Sequence, residues 1–203
     1  RLANIFELTR KYVNYKKELE GFFLRKNTPN QSFFSIRLPI QIGANDHTAR
    51  TWFYRQRIID GHSIIGIENY GQCLQIVENT DTATVLSKIP ENIALMKQSY
   101  IWDCLPTYSC STIELIQFLG DEKETNIVKV SLDKMINIFP EYLNAEPFWS
   151  ERYIPKSFYN IFDLFNLVPK TIKEWTKEKY IVEPDIGFDS FRELELKILR
   201  KLS

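Results

Sequence analysis

The sequence predicts an α+β protein, in which an N-terminal helix and an antiparallel sheet are followed by a mostly helical C-terminal region. Three observations lead to this class. Apolar residues recur with helical spacing over residues 4–23, strand-like alternation follows over residues 33–77, and helical spacing returns after Ser87. We therefore predict a helix-plus-sheet region at residues 1–87 and a mostly helical region at 88–203, packed together as two parts or as one continuous domain.

The predicted first helix carries a heptad seam, because its apolar residues alternate spacings of three and four. The seam consists of Ile5, Leu8, Tyr12, Tyr15, Leu19 and Phe22. Such a seam packs either on the protein's own sheet or on a helix of a partner chain. Two tyrosines fit a long coiled coil poorly, so we expect packing on the sheet.

The centre of the predicted sheet is Thr51–Tyr70, where two strand-like runs flank Asp60-Gly61. Asp-Gly favours a two-residue type I′ turn, because both positions need positive φ. The resulting hairpin would place Trp52, Tyr54 and Ile65 on the core face. Arg55 and Arg57 would then lie on the opposite face.

Other strands and helices are predicted around this hairpin. Residues 33–42 alternate as a strand, with an edge or bulge expected at Pro39 because proline cannot donate to a ladder. Residues 72–77 predict a further strand, and residues 82–86 a weaker one. Helices are expected from Pro90 to about residue 101 and at four later segments, residues 111–119, 130–142, 171–179 and 189–202.

Composition limits the classes of function. The 203 residues are 44% hydrophobic with zero net charge, which supports a folded core and excludes a generally basic nucleic-acid binder. Residues 1–60 nevertheless hold 11 Lys/Arg against 5 Asp/Glu, whereas residues 61–150 hold 5 against 12.

Three cysteines without repeated spacing predict an intracellular protein, cytoplasmic or nuclear, and no apolar run is long enough to span a bilayer. The chain starts with arginine, so we expect it to be part of a longer protein.

A basic sheet face is the first candidate for function. The predicted strands place Arg37, Arg55, Arg57 and His62 on one face, where arginines can contact phosphates. The alternative is that these arginines pair with the acidic middle of the chain or lie beneath the first helix.

A nuclease-like pattern is the second candidate. Asp185 followed by Glu195 and Lys197 matches an acid and then an acid-x-Lys, in which two carboxylates hold a divalent metal. The spacing around Glu195 is helical, however, and residues two apart on a helix do not face each other. We therefore treat a metal-dependent nuclease as the weaker alternative.

An aromatic run in residues 148–165 is the third candidate, because aromatic residues are enriched in interface cores. Its alternative is a buried core between prolines. The candidate partner-binding residues are Trp149, Tyr153, Phe158 and Phe162.

Taken together, these patterns predict a non-catalytic interaction module of an intracellular multiprotein assembly. We expect it to be associated with nucleic acid and to bind other protein subunits, without a membrane, metal or cofactor. Direct nucleic-acid binding and metal-dependent nuclease activity are the alternatives. The sequence contains no Walker loop, dinucleotide glycine pattern or nucleophile elbow, and it resembles no family closely enough to transfer residue roles.

Overall fold

The computed structural model describes residues 2–43, 48–68, 74–97, 99–106, 109–120, 125–145, 159–171, 174 and 188–202. Within these residues the helices are α1 Leu2–Leu24, α2 Arg50–Ile59, α3 Asn79–Met96, α4 Thr112–Gly120, α5 Leu132–Ile138, α6 Pro140–Ala145, α7 Ile161–Leu164 and α8 Phe188–Leu202. The strands are β1 Ser35–Arg37, β2 Ile40–Ile42, β3 Ile64–Glu68, β4 Leu74–Glu78, β5 Ile101–Asp103, β6 Ser109–Cys110 and β7 Ile127–Ser131.

The α+β class predicted from the sequence is confirmed, with helices and mixed sheets. The sequence predicted an antiparallel sheet, but most strand pairs in the described residues are parallel. Strands β1 and β5, β2 and β4, and β3 and β7 pair in parallel, whereas β4 and β6 are antiparallel. The partners of each parallel pair are distant in the sequence, so helices and loops connect them.

The prediction of a hairpin at Asp60-Gly61 is wrong. Residues 50–59 form α2 instead of a strand, and only the second half of the predicted hairpin is extended, as β3. Asp60 follows the last turn of α2, where its backbone N–H bonds the carbonyl of Gln56. Gly61 has φ of 72°, the left-handed conformation that often follows a helix. The Asp-Gly pair therefore ends a helix here.

Several other elements follow the sequence closely. Helices α1 and α8 match the predicted segments within two residues at each end. The strand predicted over residues 33–42 is interrupted at Leu38-Pro39 and forms β1 and β2. Ser131 accepts a hydrogen bond from the backbone N–H of Lys134 and so caps the start of α5.

Two helical segments differ from the prediction. The weak strand at residues 82–86 and the helix expected from Pro90 belong to a single helix, α3, which is kinked at Asn92. The predicted helix at 130–142 begins as the end of strand β7 and continues as α5 and α6. Helix α3 runs through residue 87, and the division into regions 1–87 and 88–203 stays a prediction. Most of the helix predicted at residues 171–179 lies outside the residues that the structure describes.

The larger core cluster lies among the paired strands β3 and β7, the three-stranded sheet of β2, β4 and β6, and the helices α2, α4, α5, α6 and α8. A smaller cluster joins α3, β5 and α7, and its buried residues are Val77, Val85, Met96, Trp102, Cys104, Ile161 and Phe162. Among the described residues, no helix has both the length and the apolar character needed to cross a membrane.

Candidate interaction site

Helix α1 presents large apolar side chains to solvent. Tyr12 and Tyr15 are 61% and 60% exposed, Phe22 is 48% exposed, and Leu19 is 37% exposed. These four residues belong to the predicted heptad seam. The expectation that the seam packs on the protein's own sheet is therefore wrong for these positions.

A contact between charged groups fixes α1 to the rest of the protein. The Glu20 carboxylate accepts hydrogen bonds from Nε and Nη2 of Arg37, at 3.0 and 2.7 Å, and from the hydroxyl of Ser35. Phe23 also packs on Phe33, with ring centroids 5.5 Å apart. A bidentate contact of this kind fixes orientation as well as distance.

A groove of about 950 Å³ runs between α1 and residues 33–38, which include β1. Its walls are mainly apolar, and it lies next to the exposed seam. The lining residues are Tyr12, Val13, Lys16, Lys17, Leu19, Glu20, Phe23, Leu24 and residues 33–38. The exposed seam and this groove together are called the α1 face below.

Lysines border the exposed aromatic rings of the α1 face. The Lys16 ammonium lies 5.4 Å from the centroid of the Tyr12 ring, and that of Lys26 lies 5.2 Å from the centroid of the Phe22 ring. At exposed positions such cation–π contacts are worth about 0.5–1 kcal/mol. The α1 face therefore combines apolar area with a positive border.

A second polar cluster is entirely internal. Glu195 on α8 and Arg57 on α2 are both fully buried, and the carboxylate accepts hydrogen bonds from Nε of Arg57 at 3.0 Å and from its Nη2. The same carboxylate accepts the backbone N–H of Ile65 at 2.8 Å and the hydroxyl of Tyr142 at 3.2 Å. This cluster joins α2, β3, α6 and α8.

Arg192 extends the cluster toward the surface. Its guanidinium donates to the Glu195 carboxylate, to the Ser63 carbonyl at 3.0 Å and to Asp60 Oδ1 at 2.6 Å. Two arginines thus face two carboxylates, the buried Glu195 and the exposed Asp60, so that the charges of the cluster balance. A balanced and hydrogen-bonded cluster is the form in which proteins bury charge.

The surroundings of the cluster shift the pKa values of its members. Burial raises the pKa of the Tyr142 hydroxyl well above its usual value. Burial also opposes ionisation of Asp60, but the hydrogen bonds and charge of Arg192 hold the pKa of that carboxyl below its usual value. The tyrosine therefore stays neutral and the aspartate stays charged near neutral pH.

The nuclease candidate does not form a site in this structure. Glu195 is buried by its arginine partners, whereas Lys197 is exposed on the same helix. The acid-x-Lys pattern falls on α8, where residues two apart point in different directions. Asp185 lies outside the described residues.

The predicted basic face is also not assembled. Arg55 and Arg57 belong to a helix, and Arg57 is fully buried with its side chain between aromatic rings, 5.0 Å from the Tyr54 centroid. Arg37 binds Glu20, and His62 is exposed after the end of α2. The face requires a hairpin, and the hairpin does not form.

The aromatic candidate is described only in part. Phe162 is 2% exposed and packs in the smaller core cluster, so its prediction as a partner-binding residue is wrong. Trp149, Tyr153 and Phe158 lie outside the described residues. The buried position of Phe162 agrees with the alternative that this run contributes to a core.

The cysteines in the described ranges are buried. Burial raises the pKa of the Cys104 and Cys110 thiols to about 12, so both are protonated at neutral pH. In the same ranges, no group of three or more His, Cys, Asp or Glu side chains is arranged to hold a metal ion.

Arg192 and Tyr142 were not predicted from the sequence as members of the buried cluster, although the position of Glu195 gave one indication of it. Glu195 lies on the same side of α8 as Phe191 and Ile198, four positions after one and three before the other. A carboxylate on the apolar face of a helix needs a buried cation as its partner. The identity of that cation, on α2, had no local signal.

Comparison with known proteins shows similarity of fold only. No protein-family pattern and no curated protein matches the sequence. The fold is similar to that of RMD from Pseudomonas aeruginosa, whose structure was determined with NADPH, at 13% identity and a TM-score of 0.51 over 78% of this chain. The chain spans about half of that protein, since 50% of the RMD chain is covered. The dTDP-glucose 4,6-dehydratase of Bacillus anthracis, in complex with NAD, is matched at 10% identity and a TM-score of 0.42, over 70% of this chain and 42% of that chain.

Proposed function

We propose that the protein is a non-catalytic interaction module, which joins an intracellular assembly by binding another protein chain through the α1 face. The observation that carries the proposal is the exposure of Tyr12, Tyr15 and Phe22 on one helix. Apolar groups clustered on a surface are typical of interaction sites, and aromatic side chains are enriched at the centres of interfaces.

The way in which α1 is held supports this role. The Glu20–Arg37 contact fixes one side of the helix, so the apolar seam is presented on a helix that is already formed. A preformed site binds without the entropic cost of ordering a segment. The lysines around the rings favour a partner that places carboxylates beside its own apolar surface.

The internal cluster supports a structural role for the buried acid and bases of this chain. Glu195, the candidate acid of the nuclease alternative, has its carboxylate occupied by Arg57, Arg192 and a backbone N–H. Because these donors occupy both carboxylate oxygens, Glu195 joins α8 to α2 and β3. Association with nucleic acid is then proposed to occur in the assembly, through the partners of this chain or the basic N-terminal third of its sequence.

Site-directed photo-crosslinking tests the proposal. A photo-reactive amino acid replaces Tyr15 in the α1 face or, as the control, Arg10 on the opposite side of the same helix. We expect a defined protein adduct from position 15 in cells of the source organism and none from position 10. Equal labelling at both positions, or no adduct at position 15, would contradict the proposal.

A nicotinamide dinucleotide site is a second candidate function, favoured by the similarity in fold to a protein determined with NADPH. Two observations weigh against it: the sequence contains no G-x-G-x-x-G fingerprint, and the chain covers half of that protein. Titration of the chain with NADPH, followed by tryptophan fluorescence and by calorimetry, separates the candidates. Saturable binding with a Kd in roughly the micromolar range would support this function, and no heat of binding by calorimetry at millimolar NADPH would remove it.

A further inference from the structure

The spacing and charge of α1 identify the partner more narrowly. We propose that α1 pairs with α1 of a second copy of this chain, in an antiparallel two-helix coiled coil of only three heptads, not the long coiled coil that its two tyrosines fit poorly. This inference rests on the proposed function, because it names the occupant of the α1 face.

The geometry of α1 suits such a pairing. The helix is continuous over 23 residues, a length of about 35 Å. Tyr12 and Leu19 occupy one repeating position of a heptad, and Tyr15 and Phe22 occupy the other. All four are exposed, and the sequence continues the same spacing toward the N-terminus at positions 5 and 8.

The charges beside the seam distinguish the two possible directions. Lys11 and Glu18 follow one edge of the seam, and Lys16 lies on the other edge. In a parallel pair the two edges meet, so Lys11 faces Lys16 of the second copy, twice by symmetry. In an antiparallel pair like edges meet, so Lys11 faces Glu18 of the second copy, again twice. Opposite charges favour the antiparallel arrangement, and like charges disfavour the parallel one.

The contacts within one chain leave these groups accessible. Lys11 lies 2.7 Å from Glu7, but this pair is 68% and 52% exposed, so solvent weakens it. Glu18 is exposed, and the Glu20–Arg37 contact that fixes the helix lies at a neighbouring position outside the seam. Antiparallel pairing around the centre of α1 places Tyr12 opposite Tyr15 of the second copy and Leu19 opposite position 8.

Charge exchange on the full 203-residue chain tests the proposal by sedimentation equilibrium. We expect a dimer whose Kd rises on the order of tenfold in Lys11→Glu and in Glu18→Lys, because each change replaces two attractions with two repulsions. The double variant, Lys11→Glu with Glu18→Lys, should recover the original Kd. Arg10→Glu makes the same change in charge on the opposite side of α1 and should leave the Kd unchanged.

Other outcomes would overturn the inference. A parallel pair would become tighter in Lys11→Glu, since the introduced carboxylate would then face Lys16 of the second copy. A dimer that is indifferent to all the charge variants, or to Tyr15→Lys within the seam, would place the contact elsewhere. A monomer at concentrations on the order of 100 µM would also overturn it. If that monomer still gives a heterologous adduct from position 15, the proposed function stands without the self-association; if it gives none, both fail.

Discussion

Neutralising Glu195 is expected to destabilise the protein far more than an ordinary surface change. Glu195→Gln keeps the shape of the side chain but removes the charge that balances Arg57 and Arg192. Arg57 is fully buried and has no other carboxylate partner among the described contacts, so its charge is left uncompensated in the core. Removing one partner of a buried ion pair costs about 3–5 kcal/mol.

Urea denaturation followed by tryptophan fluorescence measures this cost. The free energy of unfolding should fall by about 3–5 kcal/mol, with a decrease in Tm of roughly 6–20 °C for a chain of this size. Glu193→Gln is the matched control, because Glu193 is an exposed glutamate on the same helix. We expect the control to change stability by less than about 0.5 kcal/mol.

A double-mutant cycle then separates the pair from the single side chains. Arg57→Met removes the buried cation, so Glu195→Gln should cost less in that background than in the wild-type protein, with a coupling of about 1–3 kcal/mol. If Glu195→Gln costs less than about 1 kcal/mol, the range of an exposed pair, the cluster is not buried as the structure has it. Strict additivity in the cycle would likewise refute a direct pair.

Three further results are expected from changes elsewhere. The destabilising effect of Asp60→Asn should be full above about pH 4 and shrink below it, because the pKa of Asp60 is lowered in the folded state and its contribution to stability disappears as pH falls through that lowered pKa; thermal melts from pH 7 downward follow the difference from wild type. Gly66→Ala should cost about 1–3 kcal/mol in urea, because the added Cβ would lie 2.6 Å from Ile127 Cγ2, whereas an unchanged midpoint would mean that the space is open. Cys104 and Cys110 should resist iodoacetamide at pH 8 until the chain unfolds, which peptide mass spectrometry detects; rapid modification in the native state would show that the thiols are accessible.

The sequence predicted elements with strong local signals. Helices α1 and α8 have long apolar periodicity, and both were placed within two residues. The break at Pro39 follows from the missing N–H of proline, which is a property of one residue. These elements could be predicted because the residues that determine them lie within the elements themselves.

The predictions were wrong where one local pattern is compatible with two structures. Asp60-Gly61 fits a type I′ turn and equally fits the end of a helix, because a glycine with positive φ serves both. The aromatic and β-branched residues before it favour a strand, but Thr51, Phe53, Tyr54 and Arg57 are buried as one side of a helix. Packing against the core overrode the local preference.

The pairing of distant segments could not be read locally either. Ile64 of β3 pairs with Ile127 of β7, and Arg57 binds Glu195, yet the intervening chain carries no mark of either partner. The helix and the positions of its seam residues were predicted, but the exposure of these residues was not. Their exposure depends on where α1 lies relative to the sheet. That placement depends on long-range contacts such as the one between Glu20 and Arg37.

The separation of Arg57 from Glu195 has a consequence for biosynthesis. The two residues are 138 positions apart, so a ribosome adds Glu195 on the order of ten seconds after Arg57. Throughout that interval the nascent chain contains Arg57 but not yet Glu195. The Arg57 guanidinium therefore has to remain exposed to water. The larger core therefore closes only after translation of α8, and a cotranslational chaperone has a defined window in which to act.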